Sequence, residues 1–165
     1  MEEREQIVYD ALKALGIAYE RHEHPPVFTV EDAAVHWKGI RGAHCKNLFL
    51  RNKPGKRHYL VIAEFRRPID LPELARRIGD SRLSFASDER LMAHLGVHPG
   101  EVSPFGLLAE GAGPVIVLVD AGLRREEFVN FHPNVNTATL TIPLSGLIAF
   151  LESRKNPYRF LELPS

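Results

Sequence analysis

Apolar positions along this chain follow two periods, and the period changes where turn-forming residues cluster. Ile7, Val8, Ala11, Leu12 and Leu15 recur at helical spacing, which predicts an amphipathic helix over residues 2–15 ended by Gly16. A strand is expected over 17–23, closed by Pro25 and Pro26, and then a short helix over 30–36 capped by Thr29. Residues 45–50 and 58–65 are strand-like, and Asn52-Lys-Pro-Gly55 between them is a turn signal, so the two predict a hairpin. Asp70 and Glu73 form a capping-box pattern for a helix that Gly79 ends, and Ser87 is placed to cap another helix running to Leu95. Residues 98–113, rich in Gly and Pro, predict a loop with brief extended pieces. The continuous apolar run 115–119 predicts a buried strand. A strand over 137–142, a last helix over 144–151 and a docking tail with Tyr158, Phe160 and Leu161 complete the order. Such interspersion, with a hairpin and no clean βαβ rhythm, predicts an α+β domain: a mixed, largely antiparallel sheet or open barrel flanked by helices.

The 165 residues are expected to fold as a single domain over 1–165. No apolar run approaches the length of a membrane span, and the start Met-Glu-Glu-Arg-Glu lacks the plan of a signal peptide. One cysteine, Cys45, leaves no internal disulfide and fits a reducing, cytoplasmic setting. Charge changes the picture more. Net charge is zero, yet nine cations and one acid fall between Lys38 and Arg67, leaving twelve cations and twenty acids elsewhere. That local excess suits a phosphate backbone held at one place, with Arg51, Lys53, Lys56 and Arg57 around the predicted turn as candidate phosphate contacts. A solvated hairpin would look the same.

Three segments carry candidate chemistry. Asn130-Phe-His-Pro-Asn-Val-Asn-Thr-Ala-Thr-Leu140 holds His132, three asparagines and two threonines with no formal charge. Amides and hydroxyls at that density suit a wall that hydrogen-bonds a polar ligand, or an Asx-rich turn bonded to its own backbone. On the strand containing Lys46 and Asn47, alternation puts Lys46 on the face of Leu48 and Leu50, an unusual place for an ammonium unless its head reaches an anion or snorkels. Gly100-Glu-Val-Ser-Pro104 allows close backbone approach, so free N–H groups there could hold a carbonyl oxygen. Other chemistries are poorly supported. The histidines 22, 24, 44, 94 and 98 come with no zinc-ligand spacing, Cys45 reads as a packing residue, Ser103 is not in a GxSxG elbow, and Gly111-Ala-Gly113 is not a dinucleotide loop.

Taken together, Lys46-Asn47-Leu-Phe-Leu50, the GxxxP loop from Gly100 to Pro104 and the segment 130–140 resemble the YbaK/prolyl-tRNA synthetase editing-domain family, in its free-standing ProX branch, with order and spacing kept over nearly the whole chain. The resemblance implies a mixed β-barrel with surrounding helices and an aminoacyl-tRNA deacylase acting on mischarged Ala-tRNA(Pro), with no metal, no cofactor and no covalent intermediate. It implies that Lys46 serves activity and binding of the tRNA 3′ end beside Asn47, that Gly100, Val102, Ser103 and Pro104 lie against the aminoacyl ester, and that His132 belongs to the substrate pocket with Asn134 and Asn136. Mischarged tRNA(Pro) is the expected partner, prolyl-tRNA synthetase a second candidate, and a membrane neither. A deacylase for Cys- or Ser-tRNA, or an inactive module binding tRNA or an amino acid, are the alternatives.

Overall fold

The computed structural model describes residues 1–27 and 30–163. Among the described residues the α-helices are α1 (Glu3–Ala14), α2 (Val30–Trp37), α3 (Leu71–Ile78), α4 (Asp88–Leu95) and α5 (Leu144–Ser153). The strands are β1 (Glu20–Glu23), β2 (Ala43–Arg51), β3 (His58–Glu64), β4 (Ser84–Phe85), β5 (Ile116–Asp120), β6 (Phe128–Phe131), β7 (Ala138–Pro143) and β8 (Tyr158–Leu161). They form one unclosed sheet in the order β1-β7-β6-β2-β3-β5-β8, with β4 added on β2. The predicted hairpin is its centre, pairing Cys45 with Glu64 through Arg51 with His58. Three pairings, β2–β6, β3–β5 and β5–β8, are parallel. The class is the expected mixed α+β one, but parallel pairing is more frequent than a hairpin alone predicts, because helical and 3-10 segments carry the chain back across the sheet.

Alternation explains why the sheet is covered on both sides. Phe49, Leu60, Ile62, Val117 and Val119 face a larger core completed by Val8 and Leu12 of α1, Leu91 and Leu95 of α4, and Leu147 and Phe150 of α5. Leu50, Tyr59, Val61, Ala63 and Leu118 face a smaller core closed by Leu74 and Ala75 of α3. β3 is therefore buried on both faces, as its unbroken apolar run requires. The local signals act as read. The Asp70 side chain accepts from Glu73 N at 3.0 Å, and that of Ser87 from Arg90 N at 3.2 Å. The Glu73 carboxylate does not complete the box; Arg76 and Arg77 take it. The apolar tail docks as an edge strand against β5.

Three expectations need correction. Residues 98–113 are not simply loop: Pro104–Leu108 and Glu110–Ala112 form 3-10 turns, the first capped by Ser103, whose hydroxyl accepts from Phe105 N at 3.1 Å. The start of the amide-rich segment, Asn130 and Phe131, is strand, because Phe128–Phe131 pairs with both β2 and β7. Gly42 makes that approach possible, since a Cβ there would stand 2.7 Å from the Phe128 carbonyl oxygen. The first strand begins at Glu20 rather than residue 17. The expected cap at Thr29 lies outside the described residues.

Candidate active site

β2, α2, the loop after α4 and the β6–β7 connection meet around a cavity of about 290 Å³. Val27, Ala33, Trp37, Cys45, Lys46, Asn47, Phe65, Gly100, Val102 and His132 line it. One residue or more from each of the three motifs thus faces the same space. Most of the wall is apolar, and among the described residues no carboxylate lines it.

Five of the lining residues have hydrogen-bonding capacity to spare. Lys46 is half-buried and makes no ion pair among the described residues. Desolvation lowers its pKa, and the Glu64 carboxylate opposes that shift. The Asn47 side-chain oxygen is buried with no partner among the described residues, a state that costs roughly 1–3 kcal/mol unless a ligand donor arrives. Gly100, with φ of 85°, and Val102 present N–H groups that donate to no carbonyl among the described residues. His132 lies with Nδ1 3.0 Å from the Ala138 carbonyl oxygen. A carbonyl can only accept, so Nδ1 carries the proton and Nε2 keeps its lone pair. Burial depresses the His132 pKa, and the Ala138 bond only partly offsets this. The ring is a neutral acceptor at pH 7.

Other predicted site residues stand behind this wall. Ser103 is fully buried and donates from its hydroxyl to Asn134 Oδ1 at 3.1 Å. Asn134, in the left-handed region at φ 63°, donates through Nδ2 to the carbonyls of Arg4 at 3.1 Å and Phe105 at 3.5 Å. Pro104 starts the 3-10 turn and is buried with it. These three brace the glycine loop against the His132 segment and against α1. Glu101 adds to the brace, accepting from His98 N at 3.0 Å and from Arg4 Nη2 at 2.8 Å. Asn136 is half-buried and lies outside the lining. Asn130 is spent on structure, its amide donating to Arg41 O at 2.9 Å and its oxygen accepting from Thr141 Oγ1 at 2.5 Å.

The turn cations are elsewhere. Arg51, Lys53, Lys56 and Arg57 sit at the far end of the hairpin, about 17 Å along β2 from Lys46 at ~3.3 Å per residue. Arg57 is within 3.5 Å of Asp80, and Arg51 bonds the Lys53 carbonyl at 3.4 Å. Among the described residues no three His, Cys, Asp or Glu side chains are grouped to hold a metal ion. Cys45 is a wall residue whose thiol burial pushes far up, so it is not a thiolate nucleophile. Sequence reasoning missed Trp37 and Phe65 as lining residues. Their signal was weak: a sole tryptophan beside Lys38, and an aromatic at the end of a strand.

Over residues 24–150 the sequence matches the family described as aminoacyl-tRNA editing domain. It is 38% identical over 158 residues to the prolyl-tRNA editing protein ProX of Acetoanaerobium sticklandii, covering 96% of both chains. It is 37% identical over 145 residues to the prolyl-tRNA synthetase associated domain-containing protein 1 of Bos taurus, covering 86% of this chain and 85% of that one. A solved structure of a candidate trans-editing enzyme for prolyl-tRNA synthetase shares the fold, with a TM-score of 0.76 and 20% identity over 100% of this chain and 99% of that one. With the three motifs gathered at one cavity and these likenesses spanning most of the sequence, the chain belongs to the aminoacyl-tRNA editing domain family, whose chemistry is aminoacyl-tRNA deacylation.

Proposed function

We propose that this chain is a free-standing trans-editing deacylase that removes alanine from mischarged tRNA(Pro). The observation that carries the reading is the small, mostly apolar cavity in which an unpaired Lys46, an unpartnered Asn47 oxygen, free N–H groups at Gly100 and Val102, and the His132 acceptor converge. At about 290 Å³ it lies at the bottom of the usual range for ligand sites, roughly 300–1,000 Å³. The reading assigns the choice of alanine over a larger side chain to exclusion by the walls around the ester.

Each group has a role in water attack on the ester. Lys46 meets the phosphate of the terminal nucleotide as a point charge. The Asn47 oxygen accepts from the α-ammonium group of the amino acid. The Gly100 and Val102 N–H groups face the carbonyl oxygen and stabilise the negative charge that grows on it. His132 Nε2 accepts from the attacking water or from the ribose hydroxyl beside the ester, and so orients that proton. Its depressed basicity favours orienting and framing over full proton abstraction. An aminoacyl ester is already activated, so positioning and oxyanion stabilisation are sufficient chemistry, without metal or covalent intermediate. Ser103, Pro104 and Asn134 support the site as braces.

The test is ester loss from Ala-, Cys-, Ser- and Pro-tRNA(Pro) incubated with purified protein. Selective loss of alanine is expected. Hydrolysis confined to Cys- or Ser-tRNA would overturn the substrate assignment, and loss from none, with protein in excess, would overturn the deacylase reading. Affinity for prolyl-tRNA synthetase is a separate question, read by whether added synthetase raises the rate at limiting tRNA.

A further inference from the structure

Among the described residues Arg4, in the first turn of α1, is not one that lines the cavity, yet it holds two of the cavity's walls. Its main-chain carbonyl accepts from Asn134 Nδ2 at 3.1 Å, on the His132 side. Its guanidinium donates through Nη2 to Glu101 Oε2 at 2.8 Å, on the glycine-loop side. The next residue, Glu5, ties the same turn of helix to β1, accepting from Arg21 Nη2 at 2.9 Å. A second carboxylate, Glu2, stands 2.8 Å from Arg4 Nε, but it is exposed and out of line for a hydrogen bond.

Glu101 is buried between two residues that face the cavity, Gly100 and Val102. Its carboxylate is committed twice, Oε2 to Arg4 and Oε1 to His98 N at 3.0 Å. Its own N–H donates to the His98 carbonyl at 3.1 Å. With Pro99 and Gly100 between them, and φ of 85° at Gly100, this is the pattern of a type II turn. The turn fixes the direction of the Gly100 N–H, because that group belongs to its central peptide. Where the turn as a whole points is then set by what its carboxylate is tied to, and that is Arg4. Burial lowers the His132 pKa and the Glu101 carboxylate works against that shift, so the charge of this loop is felt at the histidine.

We propose that Arg4 and Glu101 are positioning residues for ester hydrolysis. Their ion pair, together with the Arg4 carbonyl on Asn134, sets the Gly100 and Val102 N–H groups at a fixed separation from His132 Nε2. Neither residue touches the substrate. The oxyanion and the attacking water must be met at the same moment, so moving one wall by about 1 Å slows the bond-breaking step by up to roughly 10²-fold. Affinity, which Lys46 and the apolar wall supply, changes less. This rests on the deacylase reading for its reaction, and one arm of the test is read without substrate.

Arg4→Met keeps the stem and the main-chain carbonyl but removes the donors. Glu101→Gln keeps an oxygen for His98 N and removes the charge. On Ala-tRNA(Pro) each should lower kcat about 10–100-fold, with KM within about twofold of wild type. Arg4→Met leaves a buried carboxylate without its counter-charge, and Glu101→Gln removes that carboxylate, so the double variant should be no slower than the slower single one. The contact to Glu101 is made through one nitrogen, so Arg4→Lys can restore it and should recover about half of the wild-type kcat or more. Urea unfolding checks that each variant is folded under assay conditions; Arg4→Gln replaces Arg4→Met if the latter is not. A change in kcat below about twofold, a loss confined to KM, losses that multiply in the double variant, or no recovery in Arg4→Lys would overturn the assignment. If the wild type hydrolyses no aminoacyl-tRNA, the deacylase reading fails, and the clamp is judged by NMR of the free protein. Arg4→Met should then move the amide signals of Gly100 and Val102 together with the ring signals of His132, and Arg4→Lys should return both; movement at one wall only, or at neither, would sink the coupling.

Discussion

Asn134→Ala is the most informative single perturbation of the brace behind the wall. Its side chain is buried and joins three segments: it accepts from Ser103 Oγ at 3.1 Å and donates to Arg4 O at 3.1 Å and Phe105 O at 3.5 Å. Truncation leaves the buried Ser103 hydroxyl without its acceptor, at a cost of about 1–2 kcal/mol, and removes a donor worth ~1 kcal/mol from the two carbonyls. The backbone at φ 63° adds a further ~0.5–1 kcal/mol, because alanine tolerates the left-handed region less well than asparagine. The loss expected is about 3 kcal/mol, or a fall of ~1.5 M in the urea midpoint for a slope near 2 kcal/mol/M. Asn134→Gly separates the causes, because it relieves the backbone and should recover about 1 kcal/mol while restoring no hydrogen bond. Equilibrium urea unfolding followed by circular dichroism measures both. Because His132 lies two residues away, kcat/KM for Ala-tRNA should also drop, by roughly tenfold to 10². If the Asn134→Ala midpoint stays within about 0.3 M of wild type, the brace carries no strain and no load, and the argument fails.

Lys46→Ala should lower kcat/KM for Ala-tRNA by about 10–100-fold, the value of a charge-assisted contact, and unchanged turnover would remove Lys46 from the chemistry. Neutralising Arg51, Lys53, Lys56 and Arg57 together should reduce the salt slope of tRNA binding by roughly 3, measured by filter binding across ionic strength; an unchanged slope places the phosphates elsewhere. His44 and His58 are both pushed down to about 4 by burial, so folding favours their neutral forms. Their contribution to stability is complete above the unfolded value of ~6.5 and is lost as pH falls from there towards 4, by about 1–2 kcal/mol each at pH 5. His58→Phe should flatten that part of the pH–stability profile, and a slope identical to wild type would contradict the burial argument. Leu60→Ala, at a fully buried position in the larger core, should cost about 3–4 kcal/mol in the same unfolding assay.

What was legible in the sequence was whatever short-range chemistry decides. The turn at residues 52–55 set the hairpin register, Asp70 and Ser87 capped their helices, and alternation along β2 placed Leu48 and Leu50 on one face and Cys45 and Phe49 on the other. The amide-rich segment was half legible. Its lack of charge pointed to enclosure, and His132 does face the cavity. Yet Asn130 and Asn134 spend their amides on distant protein carbonyls, not on the local backbone of an Asx turn. The difference depends on partners about ninety and one hundred and thirty positions away, which local pattern does not encode. Strand β6 was missed for the same reason. Trp37 and Phe65 were missed because a residue lines a cavity by virtue of what packs across from it, and α2 gives no local sign of that.

The brace at Arg4 and Asn134 also bears on the order in which the molecule is built. The β2–β3 hairpin closes across a tight turn between neighbouring stretches of chain, so it can form early. The β1–β7 ladder, joining Glu20 to Thr141, and the Arg4–Asn134 bond close loops spanning most of the chain, so their entropy is paid late. Lys46 and Asn47 therefore belong to the early-forming unit, while His132 and its supports belong to the late one. Native-state hydrogen exchange should find the β1–β7 amides opening more readily than those of β2–β3. On that ordering, a nascent chain holds its lysine in place well before it has a pocket, and hydrolytic competence arrives only when the two ends of the sequence have met.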